Sequence, residues 1–144
     1  MDRAIKMDET NVNFLMNRSA CYYDLDEHEK SISDLKQALK ISPNDPQIYY
    51  KLGLSYYANE KYKKAIKVFR SALDNKPYLT YEADLYYHIG LAYCNQEKFE
   101  KAIFPFSKCI ELVKCDIRYI HERAKAYQMI NEHEKAIEDF DSVI

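Results

Sequence analysis

Residues 49–77, YYKLGLSYYANEKYKKAIKVFRSALDNKP, decide the fold. Leu52, Gly53 and Tyr56 share one helical face, a short polar turn follows at Ala58 to Lys61, and Tyr62, Ala65, Phe69 and Ala72 then recur at intervals of three and four. Apolar residues at that period place an amphipathic helix on each side of the turn. Gly53 lacks a side chain where Tyr56 and Tyr62 are bulky, and Ala65 and Ala72 are small, so the two helices are predicted to approach closely there. A large side chain at Gly53 should push them apart.

The spacing also identifies the unit. Tyr49, Leu52, Gly53, Tyr56, Ala65, Phe69, Ala72 and Pro77 stand at the offsets of the tetratricopeptide pattern, whose period is about 34 residues, and the chain resembles the tetratricopeptide-repeat family. The resemblance implies an all-α fold, a right-handed superhelical solenoid of antiparallel helix pairs. It also implies a scaffold that holds protein or peptide partners, with no chemical step of its own.

The other segments copy the central one. A repeat over residues 12–45 opens with Asn17, Arg18, Ser19, Ala20 and Tyr22, continues through Ile32, Leu35, Ala38 and Leu39, and ends at Ser42 and Pro43. Ser31 takes the place of the usual small Ala, a tolerable change because a helical hydroxyl can bond back to a carbonyl one turn earlier. The repeat over 46–79 starts with Asp45 as N-cap and Pro46 at the first helical position, where no amide donor is needed. A third, over 83–116, is anchored by Gly90, which lies three residues further from Gly53 than one repeat length. The extra residues fall near Tyr78 to Glu82, where Thr80 is read as the cap of a first helix lengthened by about one turn. Ile89, Tyr93, Phe99, Ala102, Phe106 and Cys109 restore the pattern, and Pro105 is expected to bend the second helix. Asp116 caps a nearly complete fourth repeat over 117–144, with Ile120, Ala124, Tyr127, His133, Ala136, Ile137, Phe140 and Val143 in place.

Residues 1–11, with Ala4, Ile5 and Met7, read as the tail of a preceding repeat, so the array is expected to be a slice of a longer protein. End-to-end self-association through Ile5 and Met7 at one end and Phe140, Val143 and Ile144 at the other is the alternative use of those residues.

Composition narrows the function classes. Two Gly and four Pro are too few for a loop-rich β protein, and no apolar run reaches the length of a membrane span, so no membrane partner is expected. A net charge of −2 supplies no general attraction to nucleic acid. Lys61, Lys63, Lys64, Lys67 and Arg70 read as the solvated face of one helix. Asp2, Arg3, Lys6, Asp8 and Glu9 interrupt any signal-peptide core, and Cys21, Cys94, Cys109 and Cys115 form no CxxC pair; both point to a reduced, cytoplasmic protein. Cys94, His88 and His121 match no ligand or nucleophile spacing, and both glycines are packing positions and not part of a phosphate loop. No catalytic residue, cofactor or metal is expected.

In the family the first helices line a concave groove. The resemblance places Asn17 and Tyr23, then Tyr50, Lys51, Leu54 and Tyr57, then Tyr87, His88 and Leu91, and finally Glu122 on that surface. An aromatic and apolar floor with scattered polar groups suits an extended peptide, although Tyr50 and Tyr87 are equally suited to packing on the next repeat. The run MNRSACY at 16–22 resembles part of the carboxylate clamp of chaperone-binding members, with Asn17 in place. Gln47 and Lys51 then supply one cation where the clamp uses two, which disfavours it. Two further readings of the array are a structural piece of a large ciliary or cytoskeletal assembly and the recognition domain of a larger enzyme.

Overall fold

The computed structural model describes residues 11–75 and 79–144. The expected repeat tail before them and the closing Pro77 of the central repeat lie outside the described residues. Within them the chain forms helices α1 (Val12–Asp24), α2 (His28–Ile41), α3 (Pro46–Ala58), α4 (Tyr62–Asp74), α5 (Leu79–Asn95), α6 (Phe99–Leu112), α7 (Ile117–Met129) and α8 (His133–Asp141), and no strand. It divides into two compact units, Met1–Pro77 and Tyr78–Ile144. In the first unit α1 packs on α2, α2 on α3 and α3 on α4; in the second α5 packs on α6, α6 on α7 and α7 on α8. Each unit is therefore two stacked helix pairs, the all-α solenoid arrangement that the period implies.

The starts of the first helices are set by side chains. Asp45 accepts from the Gln47 amide at 2.9 Å ahead of Pro46, and Asp116 accepts from the Arg118 amide at 3.0 Å. Asn11 accepts from the amides of Asn13 and Phe14. These bonds satisfy donors that a helix leaves open in its first turn. α5 differs. It has 17 residues where α3 has 13, so the inserted residues do lengthen it by about a turn. It begins at Leu79, which puts Thr80 inside the helix and not at its cap.

The second helices have no side-chain cap and are positioned by the turn before them. In all four pairs that turn holds a non-glycine residue in the left-handed region: Asp26, Glu60, Glu97 and Asn131, with φ between 59° and 65°. Each turn repeats one backbone bond at its exit: Glu27 N–H to Tyr22 O, Lys61 to Tyr56, Lys98 to Tyr93 and Glu132 to Tyr127, at 2.8–2.9 Å. One turn geometry thus fixes the angle of every pair.

Close approach within a pair depends on glycine, against a different neighbour from the one the sequence suggests. A Cβ on Gly53 would run into the ring of Phe69, and one on Gly90 would lie 2.5 Å from Phe106 Cε1. Phe69 and Phe106 are fully buried, so the missing side chain makes room for a ring from the second helix and not for Tyr56 or Tyr62. α6 runs unbroken through Pro105, which is itself buried.

Polar groups also enter the core. Ser31 does not rely on its own helix: its hydroxyl pairs with that of Ser55 at 2.9 Å, linking α2 to α3, and both residues are buried. Arg18 stands where the central repeat has Leu52, and it donates from Nε and Nη2 to the two carboxylate oxygens of buried Asp34 at 2.8 and 2.7 Å. Arg123 and Asp139 repeat the arrangement in the second unit.

Candidate partner-binding site

In the first unit a cleft of about 250 Å³ opens between α1 and α3 over α2, lined by Ser19, Ala20, Tyr23, Asp24, Ser31, Leu35, Lys51, Leu54 and Ser55. Its base is Leu35 with the Ser31–Ser55 pair, its rim is Tyr23 and Leu54, and Lys51 and Asp24 bring one charge of each sign. In the second unit a cleft of about 390 Å³ is lined by Cys94, Phe99, Glu122, Lys125, Ala126, Gln128 and Met129. Both sit at the same register of the repeat. Tyr23 corresponds to Cys94, Lys51 to Glu122, Leu54 to Lys125 and Ser55 to Ala126, each related by the same shift along the chain.

The groove residues expected from the sequence divide between these clefts and the packing. Tyr23, Lys51 and Leu54 line the first cleft and Glu122 the second. Asn17 is exposed on α1 but is not among the lining residues. Tyr50 is half-buried with its ring 6.2 Å from Phe69, and Tyr57 stands edge-on to Tyr62 at 5.3 Å, bracing the turn between α3 and α4. Tyr87 lies 5.3 Å from the Tyr119 ring and 6.2 Å from Phe106, with the Arg118 guanidinium over it at 5.7 Å, so it joins α5 to α7 within the second unit. Leu91 is half-buried. Lining residues not anticipated from the sequence are Ser19, Asp24, Ser31, Leu35, Ser55, Phe99, Ala126 and Met129. Asp24, Phe99 and Met129 lie at helix ends, and Leu35 projects from a second helix, places where the facing surface cannot be read from one helix's period.

The electrostatics of the second unit follow from burial. The Tyr87 hydroxyl is pushed up by burial and then by the Glu122 carboxylate, while Tyr119 is pushed up to about 12, again first by burial. Glu122 is held by Lys125 at 3.2 Å, so the lining of the second cleft carries a neutralised pair. Burial moves the His88 imidazole below its ordinary value, against the pull of the Asp84 carbonyl 2.8 Å from Nδ1. Burial also raises the thiols, Cys94 to about 11 and Cys109 to about 12, and Cys109 Sγ donates to the Ala83 carbonyl at 3.2 Å. A nucleophilic thiol needs the opposite shift. Among the described residues no three His, Cys, Asp or Glu side chains are placed to hold a metal ion, and no helix is long and apolar enough to cross a membrane.

Comparison with known proteins agrees with the repeat fold. Tetratricopeptide-repeat family profiles match residues 46–79 and 83–112, and a TPR-repeat profile matches 21–60. Small glutamine-rich tetratricopeptide repeat-containing protein 2 of Saccharomyces cerevisiae is 32% identical over 71 residues, covering 49% of this chain and 20% of that protein. The DnaJ homolog subfamily C member 3 homolog of Dictyostelium discoideum is 33% identical over 103 residues, covering 58% and 20%. The chain thus spans about a fifth of the length of these relatives. Among solved structures, a crystal structure of MamA superposes with a TM-score of 0.88 at 25% identity, covering 99% of this chain and 81% of that one. MamA 41-end from Desulfovibrio magneticus RS-1 gives 0.83 at 25% identity, covering 93% and 74%.

Proposed function

The chain belongs to the tetratricopeptide-repeat family, and on that premise we propose that it is a protein-interaction scaffold whose first helices receive an extended peptide segment of a partner. One observation carries the reading: a cleft recurs at the same register in both units, and its lining includes Tyr23, Lys51, Leu54, Glu122 and Lys125, side chains that the repeat pattern does not use for packing. Tyr23, Lys51 and Leu54 are the contact residues in the first unit, and Glu122 with Lys125 in the second. Asn17, Tyr50, Tyr57, Tyr87, His88 and Leu91 belong to the surface beside them, with Tyr50 and Tyr87 serving mainly to hold the helices that carry it. A cleft formed before the partner arrives avoids part of the ordering cost of binding, and repeated clefts let several weak contacts add along one segment.

The test uses peptides selected from a display library on the wild-type protein and measured by calorimetry. Leu54→Arg fills the first cleft with a charge and Lys51→Glu inverts its cation. Selected peptides should lose affinity by about tenfold or more in at least one of the two, as the loss of a buried anchor contact implies. Unchanged affinity in both, with helix content intact, would reject the groove reading.

A further inference from the structure

α4 and α8 are the second helices of their units' last pairs, and they present opposite charge at matching positions. Lys63, Lys67 and Arg70 are all exposed and stand at i, i+4 and i+7 on α4; Glu134, Glu138 and Asp141 are exposed at the same spacing on α8. That spacing puts each trio on one helical face as a stripe two turns long. Lys64, beside the first stripe, is drawn aside over the Tyr56 ring at 5.8 Å. The only lysine of α8, Lys135, is paired with Glu132. Among the described residues, Lys63, Lys67, Glu134, Glu138 and Asp141 form no ion pair.

One end of each stripe is ill-matched to its own helix. Lys63 lies in the first turn of α4, where there is no acidic residue, and Asp141 ends α8, whose last turn has no basic one. Cations at a helix start and anions at its end oppose the helix dipole. Lys63 and Asp141 are thus unfavourably placed, whereas Glu134, in the first turn of α8, suits the dipole; together the exposed stripes present complementary charge outward. Ile137, 57% exposed, lies three residues after Glu134 and four before Asp141, which gives the acidic stripe an apolar point of contact.

We propose that the basic stripe of α4 docks on the acidic stripe of α8 in a second copy of this chain. Lys63, Lys67 and Arg70 face Glu134, Glu138 and Asp141 across the contact, and Ile137 packs between them. Because exposed ion pairs are individually weak and screened by salt, the association is concentration-dependent and favoured at low ionic strength.

Sedimentation velocity on the chain at about 50 mM salt should give a mass that rises with concentration, and a return toward monomer as salt shortens the screening length. The triple variant Lys63→Glu, Lys67→Glu, Arg70→Glu and the triple variant Glu134→Lys, Glu138→Lys, Asp141→Lys should each weaken self-association by about tenfold or more, the product of three modest pairs. Mixed together, the two variants should associate with each other, because each now carries the complement of the other. Circular dichroism checks that both are folded, and the neutral Lys63→Gln, Lys67→Gln variant weakens the contact without reversing charge. A wild-type chain that stays monomeric at every concentration, or an inverted variant that associates as well as wild type, overturns the proposal and returns the α4 stripe to a solvated face or to a partner of another kind.

Discussion

Arg123 and Asp139, sixteen residues apart, close a bidentate ion pair between α7 and α8: Nε donates to one carboxylate oxygen at 2.9 Å and Nη2 to the other at 2.6 Å. The third guanidinium nitrogen reaches the Ser107 hydroxyl on α6 at 3.2 Å. One side chain therefore links three consecutive helices of the second unit. Arg18 and Asp34 make the same fork in the first unit, also sixteen residues apart. The intervening repeats have Leu52 with Val68 and Ile89 with Pro105 at those positions, so the two chemistries substitute for one another as pairs.

That exchange predicts how the pair fails. Arg123→Leu leaves the Asp139 carboxylate, 9% exposed, without its partner and should cost about 2–4 kcal/mol, somewhat below a fully buried pair because Arg123 keeps 23% exposure. The double variant Arg123→Leu, Asp139→Val mimics Leu52 with Val68 and should recover most of that loss. Urea denaturation of the two single variants and the double variant completes the cycle; a double variant as unstable as the sum of the singles would show the pair is not the unit.

Gly53 and Phe69 set a second test. Alanine is the better helix former, yet Gly53→Ala drives a methyl into the Phe69 ring and should destabilise by about 1–3 kcal/mol through overpacking. Adding Phe69→Leu should return part of it, since the shorter side chain vacates the clash. Lys63→Ala, on an exposed face, should leave the unfolding midpoint of the monomer nearly unchanged. If Gly53→Ala proved stabilising, helix propensity and not packing would govern the position.

The period of the sequence made the helix pairs legible, and single residues made their starts legible, because Asp45 before Pro46 and Asp116 before Ile117 act on amides two residues away. What lay across the pair was not. The sequence pairs Gly53 with Tyr56 and with Tyr62 at the start of the facing helix, whereas the ring it admits, Phe69, comes from two turns further along that helix. Ser31 was expected to bond along its own helix and instead meets Ser55 in the next pair. Arg18 read as part of a motif for an external carboxylate, while its partner Asp34 lies inside the repeat. A signal for that pair was present: an Arg in the usual Leu place, followed sixteen residues later by Asp, occurs twice. Of the candidate groove, Tyr23, Lys51, Leu54 and Glu122 follow from the family resemblance together with helical phase, but Tyr87 has several aromatic neighbours whose positions depend on stacking.

His88 gives stability a pH dependence. Its imidazole is held below the ordinary 6.5 by burial, so the unfolded chain takes up a proton that the fold resists. The His88 contribution is complete above about pH 6.5 and is lost as pH falls from there toward the lower folded value. Asp116, held below the ordinary carboxylate range by its hydrogen bond from Arg118, adds a separate loss that begins only below about pH 4. The urea midpoint should thus decline in the mildly acidic range for wild type. His88→Gln, whose amide can still donate to the Asp84 carbonyl, should remove much of that decline while leaving the loss at lower pH; equal slopes in the two proteins would assign the mild-acid decline elsewhere.

The four left-handed turn residues give the last prediction. Glu60 has φ 60° with an ordinary side chain, a conformation that crowds Cβ against the neighbouring backbone and that glycine adopts freely. Its side chain is exposed, and the bond from its amide to the Tyr57 carbonyl at 3.0 Å belongs to the backbone, so Glu60→Gly removes strain without removing a contact seen in the fold. Relief of that strain outweighs the extra freedom glycine gives the unfolded chain, and the net gain should be about 0.5–1 kcal/mol. Asn131 occupies the same place with φ 65°, and asparagine already tolerates the left-handed region, so Asn131→Gly should gain less. Thermal unfolding of the two variants ranks them directly. A larger gain at Asn131 than at Glu60 would mean that side-chain strain does not limit these turns, and the stability of each pair would then have to be traced to the packing of its helices.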